Sequence, residues 1–310
     1  MSPTPAATPA PATAAATSPA PAMGRERRPR PGLSVSSARR SASKTLANAV
    51  LILLGLCFLI PLSWLVLASL DPEAGYTTEL PKTFTLDNFA AVLTPELAFV
   101  PLLNSLLLSA GAAALTVVAA VLAAYPLSRY QLRFNKPFLY TVLFGTCLPI
   151  TAIMVPVYSL FVQLNLLDSL PATTFFMAAT FLPMAIWMTK NFMDSVPISL
   201  EEAAWMDGAS SMKALAHVVV PLMRPGLAVV FIFVFIQAWG NFFVPFILLL
   251  SSGKQPAAVS IFRFFGQYGT VAYGQLAAFS ILYSIPVILL YVLVSRGIGG
   301  SFAMAGAMKG

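Results

Sequence analysis

The chain has 310 residues, of which 58% are hydrophobic and 9% charged, and its formal net charge is +7. So little charged material cannot cover a water-soluble globule of this size, so lipid must cover much of the surface and a soluble protein is excluded. The two cysteines, Cys57 and Cys147, fall in apolar runs without metal-ligand spacing, so no metal is expected; no bound cofactor and no nucleic-acid partner are expected either.

In chain order, residues 1–45 read as a disordered Ala/Pro-rich and then basic cytoplasmic tail, too poor in apolar side chains to fold alone. Six apolar stretches follow, at 46–70, 99–128, 138–161, 172–189, 225–251 and 274–295. A bilayer core about 30 Å thick needs about 20 apolar helical residues per crossing, so each stretch qualifies. The run starting at Leu46 is long enough to span, which makes it an uncleaved first transmembrane helix rather than a secretory signal. Long uninterrupted runs exclude a membrane barrel, whose strands alternate over short segments. The expected fold is an all-α integral membrane protein with six transmembrane helices. Its first helix at 46–70 is followed by a five-helix core at 99–295 and a cytoplasmic tail at 296–310.

Lys and Arg bias loops toward the cytoplasm. Arg25, Arg27, Arg28, Arg30, Arg39, Arg40 and Lys44 precede the first stretch, and Arg129, Arg133 and Lys136 follow the second. Both segments are expected inside, which places both termini in the cytoplasm and Lys82, Lys254 and Arg263 outside.

None of the six stretches holds an Asp, Glu, Lys, Arg or His. An ion-coupled carrier or an intramembrane enzyme ordinarily needs ionisable groups at that depth. A phosphate-binding Gly-x-x-x-x-Gly-Lys-Ser/Thr loop is also missing from the chain. Any active transport would draw its energy from a partner protein, and no catalytic residue is expected.

The segment 194–224, between the fourth and fifth stretches, is a polar island. Its acids Asp194, Glu201, Glu202 and Asp207 outnumber Lys213 and Arg224, so the cytoplasmic bias for basic residues does not account for it. Ser199 with Glu202 three residues later fits a capping box at a helix start. Ala203 and Ala204 favour helix and permit close approach, and Gly208 allows a turn with positive φ. A second, amphipathic helix carrying Leu215, Val218, Val219 and Leu222 follows, with Pro221 and Pro225 marking its exit. His217, the sole histidine, reads as a surface or interface residue.

The spacing of this island is specific: Glu202-Ala203-Ala204, three residues, Gly208, nine residues, then Val218, Val220 and Pro221. It resembles the cytoplasmic signature loop of binding-protein-dependent ABC importer permeases, except that the two aliphatics are Val where that family favours Ile and Leu. Asn104-Ser105, Ala124-Tyr125 with Arg129, Pro149, Pro156-Val157-Tyr158, Leu182-Pro183, Arg224-Pro225, Trp239 and the ending at 305–310 extend the resemblance to the carbohydrate-uptake branch.

The resemblance implies the type I, MetI-like permease fold. It makes Glu201, Glu202, Ala203, Ala204, Asp207, Gly208, Ala209 and Pro221 an ATPase-docking loop. The implied partners are a second permease subunit, two ATP-binding subunits, an extracytoplasmic solute-binding protein and membrane lipid. Gln237, Trp239 and Asn241 are candidate pathway residues for a sugar or related solute, through stacking and hydrogen bonds. The stretch Trp239-Gly240-Asn241-Phe242 departs from the family, which often has an acid near the Asn position. An ion-coupled secondary carrier and a non-transporting membrane assembly protein are the competing readings.

Overall fold

The computed structural model describes residues 34–75, 77, 80–130, 133–266 and 271–307. Most of the expected N-terminal tail, with Arg25 to Arg30, and the last three residues lie outside the described residues. Among the described residues there is no strand, only an isolated antiparallel bridge between Phe265 and Val271.

Two units make up the chain, Met1–Cys57 and Phe58–Gly310. The described part of the first is helical throughout and belongs to α1, Ser34–Ser69. Helix α1 begins twelve positions before the expected 46, because the Ser/Ala-rich approach continues the helix beyond the apolar run. Every side chain from 44 to 63 is exposed, a state that an apolar helix sustains in lipid, where its backbone is satisfied internally.

The second unit continues with α2 (Asp87–Val92), a π turn at Pro95–Phe99, and α3 (Val100–Arg129). Next come α4 (Asn135–Gly145), α5 (Ile150–Gln163) and α6 (Leu170–Asp194). Helix α7 (Ser199–Met206) and α8 (Ser211–Leu222) form the polar island, and α9 (Arg224–Trp239) follows. The short α10 (Phe243–Leu248) and α11 (Ala257–Ser260) precede α12, Tyr273–Ala307. The last span ends at Arg296, and α12 continues to Ala307 through most of the expected tail at 296–310.

Four helical runs are long and apolar enough to cross a bilayer: Lys44–Ser69, Pro95–Arg129, Leu170–Asp194 and Tyr273–Arg296. The expected third and fifth spans differ from this pattern. The stretch 138–161 is two helices bent by 87°. At about 16 and 21 Å, each falls short of a bilayer core alone. Pro149 sits extended at the N-cap of α5, and the residue before a proline is pushed out of the helical region, which accounts for the break. The stretch 225–251 ends as a helix at Trp239. Gly240 stops α9, the Asn241 side chain accepts from the Val244 amide at 3.1 Å to start α10, and Pro245 has no amide to continue a helix across the gap.

Helix α3 is the axis of the core. Its Ala112, Ala113, Ala120 and Ala124 are completely buried, and such small residues let helices approach closely where lipid supplies no hydrophobic drive between them. Ala113 and Ala120 share a cluster with Ala185 and Ile186 of α6 and Val230 and Val234 of α9. The buried Thr116 hydroxyl donates to the Ala178 carbonyl of α6 at 3.0 Å. At Gly226 a Cβ would stand 2.6 Å from the Phe192 ring, so α9 meets α6 here at a separation that other residues would oppose.

Candidate functional site

The island folds as two short helices around a tight turn. Gly208 has φ +81°, its amide donates to the Trp205 carbonyl at 3.0 Å, and the Ala209 amide donates to the Ala204 carbonyl at 3.0 Å. This is the Schellman arrangement of a helix ended by a left-handed glycine. The expected glycine turn is therefore present, but the expected capping box is not. Helix α7 begins after Ile198, with no side-chain cap, and Ser199 is already inside the helix. Ser210 instead caps α8, its hydroxyl accepting from the Lys213 amide at 3.4 Å.

One face of the island is buried. Leu215, Val219 and Met223 pack with Val121, Ala124 and Tyr125 of α3 and with Met193 and Val196. Leu215–Val219 is a π turn, a feature that recurs at functional sites. Leu222, expected on the apolar face, is 52% exposed instead. The other face is open: Glu202, Ala203, Asp207 and Gly208 are exposed, while Ala204, Ala209 and Pro221 are half-buried. Met206 is 88% exposed at the tip, with Met212, Ile198 and Leu200 exposed around it.

That apolar fringe escaped the sequence reading, although Met206 and Met212 flank the Gly208 turn in plain view. Methionine is an adaptable contact residue, and apolar clusters on a polar surface mark protein contacts.

The two neighbouring acids face opposite ways. Glu202 is exposed, and its carboxylate has no hydrogen-bond or ion-pair partner among the described residues. Glu201 is completely buried, so as a docking contact it is corrected to an internal anchor. Its Oε1 accepts from Arg129 Nε at 2.5 Å and its Oε2 from the Tyr125 hydroxyl at 3.0 Å. Arg129 also donates from Nη2 to the Val196 carbonyl at 3.2 Å and from Nη1 to Ser128 Oγ at 3.3 Å. Ser128 donates to Asp194, which is paired with Lys190 at 2.6 Å.

A second polar layer lies at the far end of α3. Asn104 donates to the Gly253 and Gln255 carbonyls at 2.9 and 3.2 Å, and Ser105 accepts from the Ala257 amide at 2.8 Å. Asp168, at φ 57°, accepts from the Leu250 and Ser251 amides and pairs with Lys254 at 2.9 Å. Hydrogen bonds from Ser251 and the Lys254 ammonium hold the Asp168 carboxyl well below the usual carboxylate range. Asn104 and Arg129 are twenty-five positions apart on one helix, about 37 Å, against a bilayer core of about 30 Å. The two layers thus bracket a membrane thickness.

The candidate pathway residues are not brought together. Trp239 is buried between Phe235 and Tyr283, with ring centroids 5.6 and 5.2 Å away, and Tyr283 donates to the Trp239 carbonyl at 2.6 Å. Its faces are occupied, so it is a core residue and not a stacking surface for solute. Asn241 caps α10, and Gln237 alone of the three is exposed. Two open grooves of about 420 and 440 Å³ flank α6, one beside the α4–α5 break and one against α3. Both are lined by mainly apolar side chains and offer few groups to bind a polar solute. Among the described residues, no group of three His, Cys, Asp or Glu could hold a metal ion.

Residues 116–300 match the family model described as the binding-protein-dependent transport system inner membrane component. The chain belongs to this family. It is 31% identical, over 86% of its length and 93% of the relative's, to the sulfoquinovosyl glycerol transport system permease protein SmoH of Agrobacterium fabrum. It is 30% identical, over 81% of its length and 93% of the relative's, to the trehalose transport system permease protein SugB of Mycobacterium tuberculosis. Among solved structures, a bacterial ABC transporter that imports the acidic polysaccharide alginate aligns with a TM-score of 0.70 at 25% identity, over 83% of this chain and 97% of that one. The fold is the MetI-like permease fold, and the protein is a multi-pass component of the cell membrane.

Proposed function

We propose that this chain is one of two permease subunits of an ATP-driven importer, forming half of the pathway for a sugar or related solute that an extracytoplasmic binding protein delivers. The α7–α8 loop carries the reading. Its inner face is fixed to α3, while its outer face presents Glu202, Asp207 and an exposed methionine for contact with a partner. Two separate ATP-binding subunits are that partner. Their closure on ATP moves the loop as a handle, and the helices turn the pathway from outside to inside. A sugar is favoured by the trehalose and sulfoquinovosyl glycerol systems of the relatives.

The α4–α5 pair, bent by 87°, and α9, which meets α8 at 80°, supply the two remaining spans, so six crossings leave both termini and residues 194–224 in the cytoplasm. The basic flanks support this orientation. With Cys57 and Cys147 replaced by Ser, a cysteine at Lys82 should react with an impermeant thiol reagent in intact cells and one at Lys213 should not. The reverse pattern would overturn the topology.

The docking surface itself is tested by Glu202→Lys. An attractive interfacial charge contact becomes repulsive, a change of about 2 to 5 kcal/mol, which is well over tenfold in assembly. The variant should insert normally, because the side chain is exposed and has no partner among the described residues. The ATPase subunit, co-expressed, should no longer co-purify. Retention at the wild-type level would remove the docking assignment.

A further inference from the structure

Glu201 and Glu202 are adjacent, yet one lies inside the chain and the other outside it. We propose that Glu201, Arg129 and Tyr125 form a strut that makes α7 and the inner end of α3 move as one body. The loop's displacement then reaches the membrane helix without slack. The proposal rests on the docking reading above and identifies residues that act within this subunit rather than on the ATPase.

Three observations support it. Both Glu201 oxygens are engaged, one by Arg129 and one by Tyr125, and both acceptors come from α7 while both donors come from α3. The Arg129 guanidinium is fixed in turn, since its other two nitrogens hold the Val196 carbonyl and Ser128. From Ser128 the chain of contacts runs on through Asp194 to Lys190. Contacts of 2.5 to 3.3 Å therefore tie α3, α6 and α7 into one circuit.

The apolar contacts around this circuit, among them Val121, Val196, Leu215 and Val219, are non-directional and tolerate sliding. Charge-assisted bonds from a planar guanidinium fix direction as well as distance. Burial strengthens them further, with Arg129 6% exposed at its side chain and Glu201 not at all. Well-packed apolar residues often hold helices together as well as a buried ion pair does, so the pair points to geometry as its role.

The test measures one distance in the assembled transporter. Spin labels are placed at Met206 on the outer face of α7 and at Leu122, an exposed position of α3, in a chain with Cys57→Ser and Cys147→Ser. The complex with its partner permease and ATPase is studied without nucleotide and after trapping with ATP and vanadate. In the wild-type background the distance should agree within about 2 Å between the two states, a shift small against one helical turn of about 5 Å.

In Tyr125→Phe, Arg129→Lys and Glu201→Gln the distribution should at least double in width, and its centre should shift on trapping. Tyr125→Phe removes one hydroxyl and no charge, and Arg129→Lys keeps the charge while losing the fork, so the test survives if Glu201→Gln fails to accumulate. A purely structural role would lower thermal stability without a nucleotide-dependent shift. A wild-type distance that changes on trapping would overturn the strut, as would Tyr125→Phe and Arg129→Lys distributions identical to wild type. Failure of the ATPase to associate with the wild type would overturn the docking reading instead. Comparison of the variant and wild-type widths in the isolated subunit would still decide whether these residues fix α7 to α3.

Discussion

At one end of α3, a buried ion pair between two side chains holds a loop whose outer face is bare. At the other end, Asn104 and Ser105 hold the 253–257 segment through its peptide groups, and the nearest ion pair, Asp168–Lys254, is partly open to solvent. Bonds to backbone constrain where a loop runs while leaving its side chains free to vary. An ion pair such as Arg129–Glu201 names both partners, so neither residue can change alone. The end that holds the polar island carries the stricter chemistry.

The largest effect should come from breaking the buried pair on one side. Arg129→Met leaves Glu201 charged and enclosed, and removing one member of such a pair costs about 3 to 5 kcal/mol. The thermal transition of the purified subunit should fall accordingly. Arg129→Met combined with Glu201→Met removes both charges, and stability should return to near the wild-type value or above it. If the double variant stays as unstable as the single one, Glu201 has another partner and the comparison between the ends loses its basis.

The far end should respond less. Asn104→Ala deletes two donors to the Gly253 and Gln255 carbonyls, and because those residues are exposed and half-buried the cost is the ordinary net value of about 0.5 to 1.5 kcal/mol per bond. Faster protease cutting at residues 251–257, with undisturbed cutting at 199–222, would show that the two ends are independent. Loss of protection at both would show that α3 transmits the damage along its length.

The sequence made some of this visible and concealed the rest for physical reasons. Gly208 was legible, because a left-handed turn after Ala-Ala-x-x-Asp has few other solutions. The inward turn of Glu201 was not, because neighbours on a helix differ by about 100° in direction and spacing alone does not say which acid faces the core. A signal did exist: the island's surplus of acid required basic groups elsewhere, and Arg129 and Lys190 are those groups. The breaks at Pro149 and Gly240 were hidden by continuous hydropathy, since 138–161 and 225–251 remain apolar across each helix end. Trp239 looked like a solute platform because a sequence lists aromatics without their neighbours, and Phe235 and Tyr283 cover it.

The smallest effect concerns Asp168, and its sign follows from the direction of its shift. Its carboxyl is held below the ordinary aspartate range by Ser251 and Lys254. A depressed carboxyl contributes stability that is fully present above the unfolded value, near 3.9, and is lost as pH falls through the folded value. Exchange at the Leu250 and Ser251 amides, which donate to Asp168 at 3.0 and 2.9 Å, reports this directly. At neutral pH, Asp168→Asn should exchange there faster than wild type by a factor on the order of three to ten. Because intrinsic exchange changes equally in both proteins, the ratio at each pH isolates the carboxylate. That ratio should stay constant from pH 8 to about 5 and shrink only in acid well below 4. A ratio that already shrinks between pH 7 and 5 would mean that Asp168 is not held ionised by Ser251 and Lys254, and that this layer is fastened by Asn104, Ser105 and Arg263 without it.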